Sequence, residues 1–232
     1  MLEQLFNPRV ILVTWPVFLF SLSLHEFMHA WMADRLGDPT PRYAGRLTIN
    51  PIAHYDPIGT TLGLVFRVFG WAKPVPVNAA IFKWPKRDMM LTALGGPAMN
   101  FALAFCFVIV FKIMGVVFRT GEPGPTVELI QKMAAYGVLV NFALGIFNLI
   151  PLHPLDGHHI LRGFLSFKAA LAYDRTKHYG SYILMALIFI SFQTGLLSFV
   201  IGVPLNLITD LAFTGPELDD FWRAVNEVMS GF

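Results

Sequence analysis

The stretch Leu24–Ala30 reads LHEFMHA and places the pattern His-Glu-x-x-His inside a long apolar run. On a helix, residues four apart lie on the same face, so His25 and His29 can offer imidazole nitrogens to one metal ion. Glu26 lies beside that pair, where it can reach a metal-bound water and take its proton. The motif alone is equally compatible with a polar helix face that pairs with a neighbouring helix, so features elsewhere in the chain must decide.

The segment around this motif has the length of a membrane span. Val10–Ala33 is mostly apolar and has about the 20 residues that a membrane-crossing helix needs. Thr14, Ser21 and the two histidines fall on one face of this helix, which leaves its leucine, phenylalanine and valine residues for lipid. Ionisable residues inside such a segment are energetically costly, and by default they indicate a functional site.

The composition is that of an integral membrane protein. Of the 232 residues, 55% are hydrophobic and 14% are charged, whereas about 25% of the residues of a soluble domain are charged. The formal net charge of +2 is too small to indicate a nucleic-acid partner. The single cysteine, Cys106, excludes an internal disulfide, and the first apolar run is too long for a cleavable signal. We therefore expect a multi-pass protein of the cell membrane that is surrounded by the lipid bilayer.

The hydrophobic pattern predicts an all-α bundle of about four to six transmembrane helices. After the first span, long helices are expected at Met89–Phe118 and Met133–Ile150, with a shorter helix at His159–Ala172. The apolar region Tyr182–Phe213 is longer than one span needs. Residues 1–213 are thus expected to form one membrane-embedded domain.

The last part of the chain has a different pattern. In residues 214–232, apolar side chains recur at helical spacing between charged residues. This pattern predicts a short amphipathic C-terminal helix at the surface.

The connection between the first two long helices is expected to form a small re-entrant element with strand-like content. Tyr43–Asn50 has strand-forming residues between turn residues, and the apolar run Pro57–Gly70 is too short for a full span. Lys73–Asn78 must be extended, because alternating prolines prevent both a helix and a regular central strand. His54 could pair with Asp56 to order this loop.

The basic loops predict the orientation of the chain. By the positive-inside rule they are cytoplasmic, so His25 and His29 lie in the inner half of the first span. Gly95–Asn100 opens the second long helix at that depth, and Asn148 and Asp156 close the third there. The coincidence favours one composite site near the cytoplasmic face. The basic residues that carry this argument are Arg35, Arg42, Arg46, Lys73, Lys83, Lys86 and Arg87 after the first span, and Arg162, Lys168, Arg175 and Lys177 after the third.

These residues suit a catalytic zinc ion, which takes three protein ligands and keeps an open position for water. His25 and His29 supply two ligands, and Asp156 is the candidate third, with a helix cap as its alternative role. His153 and His158 also lie beside Asp156 in the sequence. We interpret them as supporting or interfacial groups, because three ligands already suffice.

Three asparagines lie on the second and third long helices. Asn148 could hydrogen-bond the oxyanion that develops on a peptide carbonyl, or it could simply bridge helices. Asn100 suits helix packing at least as well as a role in the site. Asn141 is interpreted as structural, since it shares a face with Gly137 and Gly145, whose small size lets a neighbouring helix approach closely.

The motifs His25–His29 on the first membrane helix, Gly96–Asn100 on the next long one, and Asn148–Gly157, which reads NLIPLHPLDG, occur together in this chain. Together they resemble the site-2 protease family of intramembrane zinc metalloproteases. They extend over the core from the first helix to about Leu165.

The resemblance implies zinc ligation by His25, His29 and Asp156, with Glu26 as the catalytic base. It also implies a compact form of the family, without a PDZ or CBS domain. By analogy with the family, the extended segment Val75–Asn78 could hold substrate as an added strand.

The leading hypothesis is therefore a zinc metalloendopeptidase that hydrolyses a peptide bond in or next to a transmembrane segment of a membrane-protein substrate. A membrane metal-ion transporter is an alternative, because membrane-embedded His, Asp and Glu residues also mark ion pathways. A non-catalytic metal-binding membrane adaptor is a further alternative. Glu26 favours hydrolysis, since transport does not require a base beside a pair of histidines.

Overall fold

A computed structural model of the chain describes residues 7–66, 70–120 and 124–230. Every regular element in these ranges is a helix, which confirms the predicted all-α class. The helices are α1 (Pro8–Arg35), α2 (Thr40–Tyr43), α3 (Pro51–His54), α4 (Gly59–Phe66), α5 (Pro85–Thr120), α6 (Pro125–Asn148), α7 (Asp156–Phe164), α8 (Phe167–Asp174), α9 (Lys177–Thr194), α10 (Leu196–Ala212) and α11 (Pro216–Ser230).

Three helices, α1, α5 and α6, are long and apolar enough to cross a membrane. They support a multi-pass membrane protein, and within the described residues three helices meet these criteria, compared with the four to six spans expected. The predicted apolar region Tyr182–Phe213 is divided at Gly195, whose φ of 70° ends α9 and starts α10. Among the described residues, neither of these two helices meets the length and hydropathy of a span.

The three long helices pack closely because small residues lie where they meet. A Cβ atom on Gly137 of α6 would lie 2.5 Å from the ring of Phe107 of α5, and one on Gly145 would lie 3.0 Å from Phe101. The predicted close approach of a helix to these glycines is confirmed. Helix α1 packs against both α5 and α6, so polar side chains from all three helices can meet in the bundle interior.

The C-terminal helix α11 packs into the bundle instead of lying on its surface. Phe221 and Val228 are fully buried, Phe221 among residues of α5, α6 and α10, and Val228 among residues of α1 and α6. Lys132 of α6 forms an ion pair with Glu227 of α11 at 3.0 Å. The apolar face of α11 is covered by other helices. The division of the chain at residue 213 stays a prediction.

The connection between α1 and α5 contains no strand in its described part, so the predicted strand-like element is not confirmed. The expected strand-like segment Tyr43–Asn50 instead starts at the end of α2, turns at Gly45 with a φ of 67°, and leads into α3. The run Pro57–Gly70 forms α4, and its residues 67–69 lie outside the described ranges. Lys73–Asn78 forms neither a helix nor a strand, which agrees with the effect expected of its prolines, and no strand pairs with it among the described residues.

His54 helps to order this connection, but the expected pairing with Asp56 is wrong. The ring of His54 donates from Nε2 to the Thr48 carbonyl at 2.8 Å. Asp56 Oδ1 instead accepts hydrogen bonds from the backbone amides of Ile58, at 3.0 Å, and Gly59, at 2.6 Å. The carboxylate is engaged because the first amides of α4 have no partners within their own helix.

Candidate metal centre

The buried face of α1 presents His25 and His29 one turn apart, with 5% and 8% of each residue exposed. Their Nε2 atoms lie 3.0 Å apart. Helix α7 begins with Asp156, whose Oδ2 lies 3.3 Å from each of these nitrogens. In the part of the chain that the structure describes, no other group of three His, Cys, Asp or Glu side chains could hold a metal ion. The structure thus brings the three predicted ligands together.

The outer nitrogen of each ring faces an oxygen that can only accept a hydrogen bond. His29 Nδ1 donates to the Thr92 carbonyl at 2.8 Å, and His25 Nδ1 donates to Asn100 Oδ1 at 2.5 Å. A neutral imidazole carries one N–H. Each ring therefore has its proton on Nδ1, and both Nε2 atoms present lone pairs to each other.

Asp156 adds a third acceptor to these two nitrogens. Its Oδ2 atom is buried and has no hydrogen-bond partner among the described residues. Three acceptor atoms this close together require a cation among them. A proton added to one ring could bridge only one of the three pairs, whereas a metal ion satisfies all three atoms at once.

The donor set fits zinc. Zinc is bound by histidine nitrogen and carboxylate oxygen at about 2.0–2.2 Å, so neighbouring ligands of a tetrahedral site lie about 3.4 Å apart. The observed separations of 3.0 Å between the nitrogens and 3.3 Å from each nitrogen to the carboxylate oxygen are close to that value. The three side chains can therefore hold zinc and leave a fourth position for water.

Helix α5 approaches the ring pair through Gly96. A Cβ atom at this position would lie 2.6 Å from His25 Nε2 and closer still to His29 Nε2. Any side chain here would occupy the space between the two nitrogens and the backbone of α5. Residue 96 must therefore be glycine for both nitrogens to remain available to one ion.

The predicted base, Glu26, lies next to this group. It follows His25 on α1 and is half-buried. Its carboxylate makes no hydrogen bond or ion pair within the described ranges, so it remains free to accept a proton.

The structure does not bring Asn148 into hydrogen-bond contact with the three ligands. Its side-chain amide donates to the Leu144 carbonyl of its own helix at 3.0 Å. The second amide hydrogen has no partner among the described residues. A role for Asn148 with an oxyanion stays a prediction.

His153 and His158 lie outside the group of ligands. The ring of His158 stacks on Tyr173 of α8, with ring centroids 4.6 Å apart. Burial, with smaller contributions from His159 and His153, lowers the pKa of His158 to about 4. His158 is therefore neutral at ordinary pH and packs α7 against α8.

Asn100 contributes more to the site than its sequence pattern indicates, because it is fully buried and accepts a hydrogen bond from the outer nitrogen of His25. A signal for this contact was present, because Gly96 and Asn100 are four residues apart on α5. Their spacing matches that of His25 and His29 on α1, so one turn of α5 faces one turn of α1.

The chain is similar to a peptidase family and to several proteins that are named as zinc metalloproteases. Residues 112–191 match the family described as Peptidase family M50. "Putative zinc metalloprotease YwhC" of Bacillus subtilis (strain 168) is 35% identical over 195 residues, which cover 81% of this chain and 83% of that protein. "Putative zinc metalloprotease MJ0611" of Methanocaldococcus jannaschii is 32% identical over 157 residues, covering 63% of this chain and 71% of that protein.

A mycobacterial relative is longer than the matched region. "Putative zinc metalloprotease Rip2" of Mycolicibacterium smegmatis is 30% identical over 174 residues, which cover 73% of this chain and 64% of that protein. The chain thus spans slightly less than two thirds of that relative. No solved structure matches the chain significantly.

Proposed function

The chain belongs to peptidase family M50 and is a membrane zinc metalloprotease, and we propose that it cleaves a peptide bond within or beside a transmembrane segment of its substrate. The observation that carries this proposal is the convergence of three acceptor atoms, from His25, His29 and Asp156, beside the free carboxylate of Glu26. This group lies on or against a helix that is long and apolar enough to span a membrane. A metal-dependent hydrolase at that position is suited to substrates in the bilayer.

In this proposal, His25 and His29 bind zinc through Nε2 and Asp156 binds it through Oδ2. Bound zinc would polarise the scissile carbonyl and lower the pKa of the attacking water. Glu26 takes the proton from that water and passes it to the amine that leaves. The Thr92 carbonyl keeps the lone pair of His29 directed at the centre, since the backbone of α5 holds the other ring nitrogen.

Asn148 is our candidate for stabilising the oxyanion. It lies at the end of α6, in the segment that leads to Asp156, and one of its amide hydrogens has no partner among the described residues. A hydrogen bond to the developing negative charge would lower the barrier to attack.

We further propose that Lys73–Asn78 binds the substrate by strand addition. The segment is held at both ends. The Lys73 amide donates to the His54 carbonyl at 2.8 Å, and the Asn78 amide donates to Asp38 Oδ2 at 2.6 Å. Between these anchors, the backbone amides of Val75 and Val77 donate no hydrogen bond within the described ranges.

An extended substrate needs such partners. A peptide bond inside a helix is shielded, and its amide and carbonyl are already bonded, so the substrate must unwind before cleavage. Its exposed backbone groups can then pair with the free edge of Lys73–Asn78, which fixes the scissile bond in an extended form.

We also propose that the centre lies near the cytoplasmic face. The basic residues of the loop after α1 and of the segment after α6 support this orientation by the positive-inside rule. The N-terminal end of α1 then lies at the outer face, and substrates are cut close to the cytoplasmic ends of their transmembrane segments.

The comparisons favour proteolysis over a metal-ion transporter or a non-catalytic adaptor, because the relatives are named as zinc metalloproteases. The proposal is tested by comparing the membrane proteomes of cells that carry the wild-type protein or Glu26→Gln. Membrane proteins that are shortened only in wild-type cells, with new ends in or beside a transmembrane segment, are expected. New ends confined to soluble domains far from any span would contradict the proposed substrate class.

A further inference from the structure

A chain of buried side chains connects α6 to His25 by way of α5. Asn141 Nδ2 donates to the Gly137 carbonyl at 2.9 Å and to Ser21 Oγ at 2.8 Å. Asn100 Nδ2 donates to Asn141 Oδ1 at 3.0 Å, and Asn100 Oδ1 accepts from His25 Nδ1. Asn100, Asn141 and Ser21 have no exposed surface.

The direction of each hydrogen bond in this series of side chains follows from the Gly137 carbonyl. The Gly137 carbonyl can only accept, so Asn141 must turn its NH2 group towards Gly137 and its oxygen towards Asn100. Asn100 must then present its NH2 group to Asn141 and its oxygen to His25. An oxygen at this position requires a proton on His25 Nδ1, which leaves His25 Nε2 with a lone pair.

The two histidines are therefore held by different means. The Nδ1 atom of His29 donates to a backbone carbonyl, that of Thr92, which no side-chain substitution removes. His25 depends on two asparagine side chains, one in direct contact and one behind it. Changes to those side chains should affect one ligand and leave the other in place.

We infer that Asn141 and Asn100 are positioning residues for the metal centre: Asn141 orients Asn100, and Asn100 fixes the tautomer and the orientation of His25 for metal binding. This inference rests on the proposed zinc site. Asn141 contacts no zinc ligand, because the side chain of Asn100 lies between Asn141 and His25. The inference nevertheless gives Asn141 a role in zinc binding.

A purely structural role would not require this arrangement. Helices in a membrane pack well through small apolar residues, as they do at Gly137 and Gly145. A buried amide that lost a partner would leave an unsatisfied polar group in an apolar interior. Hydrogen-bonded polar side chains from three helices that end on a ligand are explained by the need to hold that ligand.

The inference is tested by zinc affinity in the purified full-length protein, measured by competition with a chelator. Partners behind a ligating histidine typically contribute a factor of about 10–100 in metal affinity. We expect a loss of about this size in Asn100→Leu, and a smaller loss in Asn141→Leu. Asn100→Asp should lose less affinity than Asn100→Leu, because its carboxylate still accepts from His25 Nδ1 although it no longer donates to Asn141 Oδ1.

A double variant separates positioning from packing. Asn141 acts on zinc only through Asn100, so Asn141→Leu should cost little further affinity in a protein that already carries Asn100→Leu. Thr14→Val is the matched control, since among the described residues the buried hydroxyl of Thr14 bonds only to the Val10 carbonyl of its own helix. Its zinc affinity should equal that of wild type.

Cobalt substitution gives a second readout that packing alone would not change. The visible absorption of bound Co²⁺ should shift in Asn100→Leu and in Asn141→Leu, and it should shift less in Asn100→Asp than in Asn100→Leu. Unchanged zinc affinity and cobalt spectra in Asn141→Leu would overturn the inference, as would equal losses in Asn100→Asp and Asn100→Leu. Wild-type protein that bound no zinc would contradict the proposed function instead, so the two failures can be distinguished. If Asn100→Leu does not fold, Asn141→Leu and Asn100→Asp still decide the question.

Discussion

The Nε2 atoms of His25 and His29 lie 3.0 Å apart, and each ring donates from its other nitrogen to a fixed oxygen. Two neutral rings in this arrangement cannot hydrogen-bond to each other, because both facing nitrogens carry lone pairs. Asp156 Oδ2 lies 3.3 Å from both nitrogens and adds negative charge. Three hydrogen-bond acceptors thus surround one point, and the acidic side chain of Glu26 follows His25 on the same helix.

Zinc should be present at close to one ion per chain in purified protein. His25→Ala and Asp156→Ala each remove one of three ligands, so both variants should lose most of their zinc. Elemental analysis after dialysis against a weak chelator measures this. Retention of full zinc by Asp156→Ala would remove Asp156 from the set of ligands.

Gly96→Ala should weaken zinc binding, because the added Cβ atom would press against both Nε2 atoms. Overpacking of a filled site costs about 1–3 kcal/mol, which corresponds to a loss in affinity of about 5- to 150-fold. Gly115→Ala on the same helix is the control, since a Cβ atom there meets nothing within 4 Å. Equal zinc affinity in the two variants would contradict the close approach of α5 to the rings.

The proposed substrate-binding edge is tested by Val75→Pro and Val77→Pro. Each change removes one backbone donor and leaves the zinc ligands untouched. The loss of one hydrogen bond to the substrate should slow cleavage by up to about tenfold, with normal zinc content. Val75→Ala is the control, because it keeps the N–H and shortens only the side chain. Unchanged cleavage in both proline variants, in folded protein, would rule out this edge.

The orientation in the membrane is tested by labelling single cysteines in a Cys106→Ser background. Lys83 and Asp219 are both exposed. Lys83 lies in the loop after α1, and Asp219 lies on α11 near the ion pair between Lys112 and Glu217. A membrane-impermeant maleimide should react with Lys83→Cys only in inside-out vesicles and with Asp219→Cys only in intact cells. The reverse pattern would place the centre near the outer face.

The features that depend on local sequence were predicted well. His25 and His29 share a face because of helical periodicity alone. The proximity of Asp156 to the histidines follows from their expected depth in the membrane. These inferences need no knowledge of how one helix is rotated against another.

The sequence indicates the close helix approach at Gly137 and Gly145, but it does not indicate how one helix is rotated against another. The bond from His25 to Asn100 exists only because α5 turns that face towards α1, and sequence spacing does not specify this rotation. The pattern of α11 correctly indicates an apolar face, but a lipid surface and a helix bundle can both cover such a face. The strand expected before α5 is absent from the described residues, because an extended segment needs a partner that this part of the chain does not supply.

The most direct test of the proposed mechanism is Glu26→Gln, assayed together for zinc content and for cleavage of a transmembrane substrate. Glutamine has nearly the same shape but cannot take a proton from water. A general base contributes a factor of about 10²–10⁴ to the rate. The predicted result is one zinc per chain, as in wild type, with cleavage slowed by at least about 100-fold. Cleavage at the wild-type rate by zinc-loaded Glu26→Gln would contradict the mechanism.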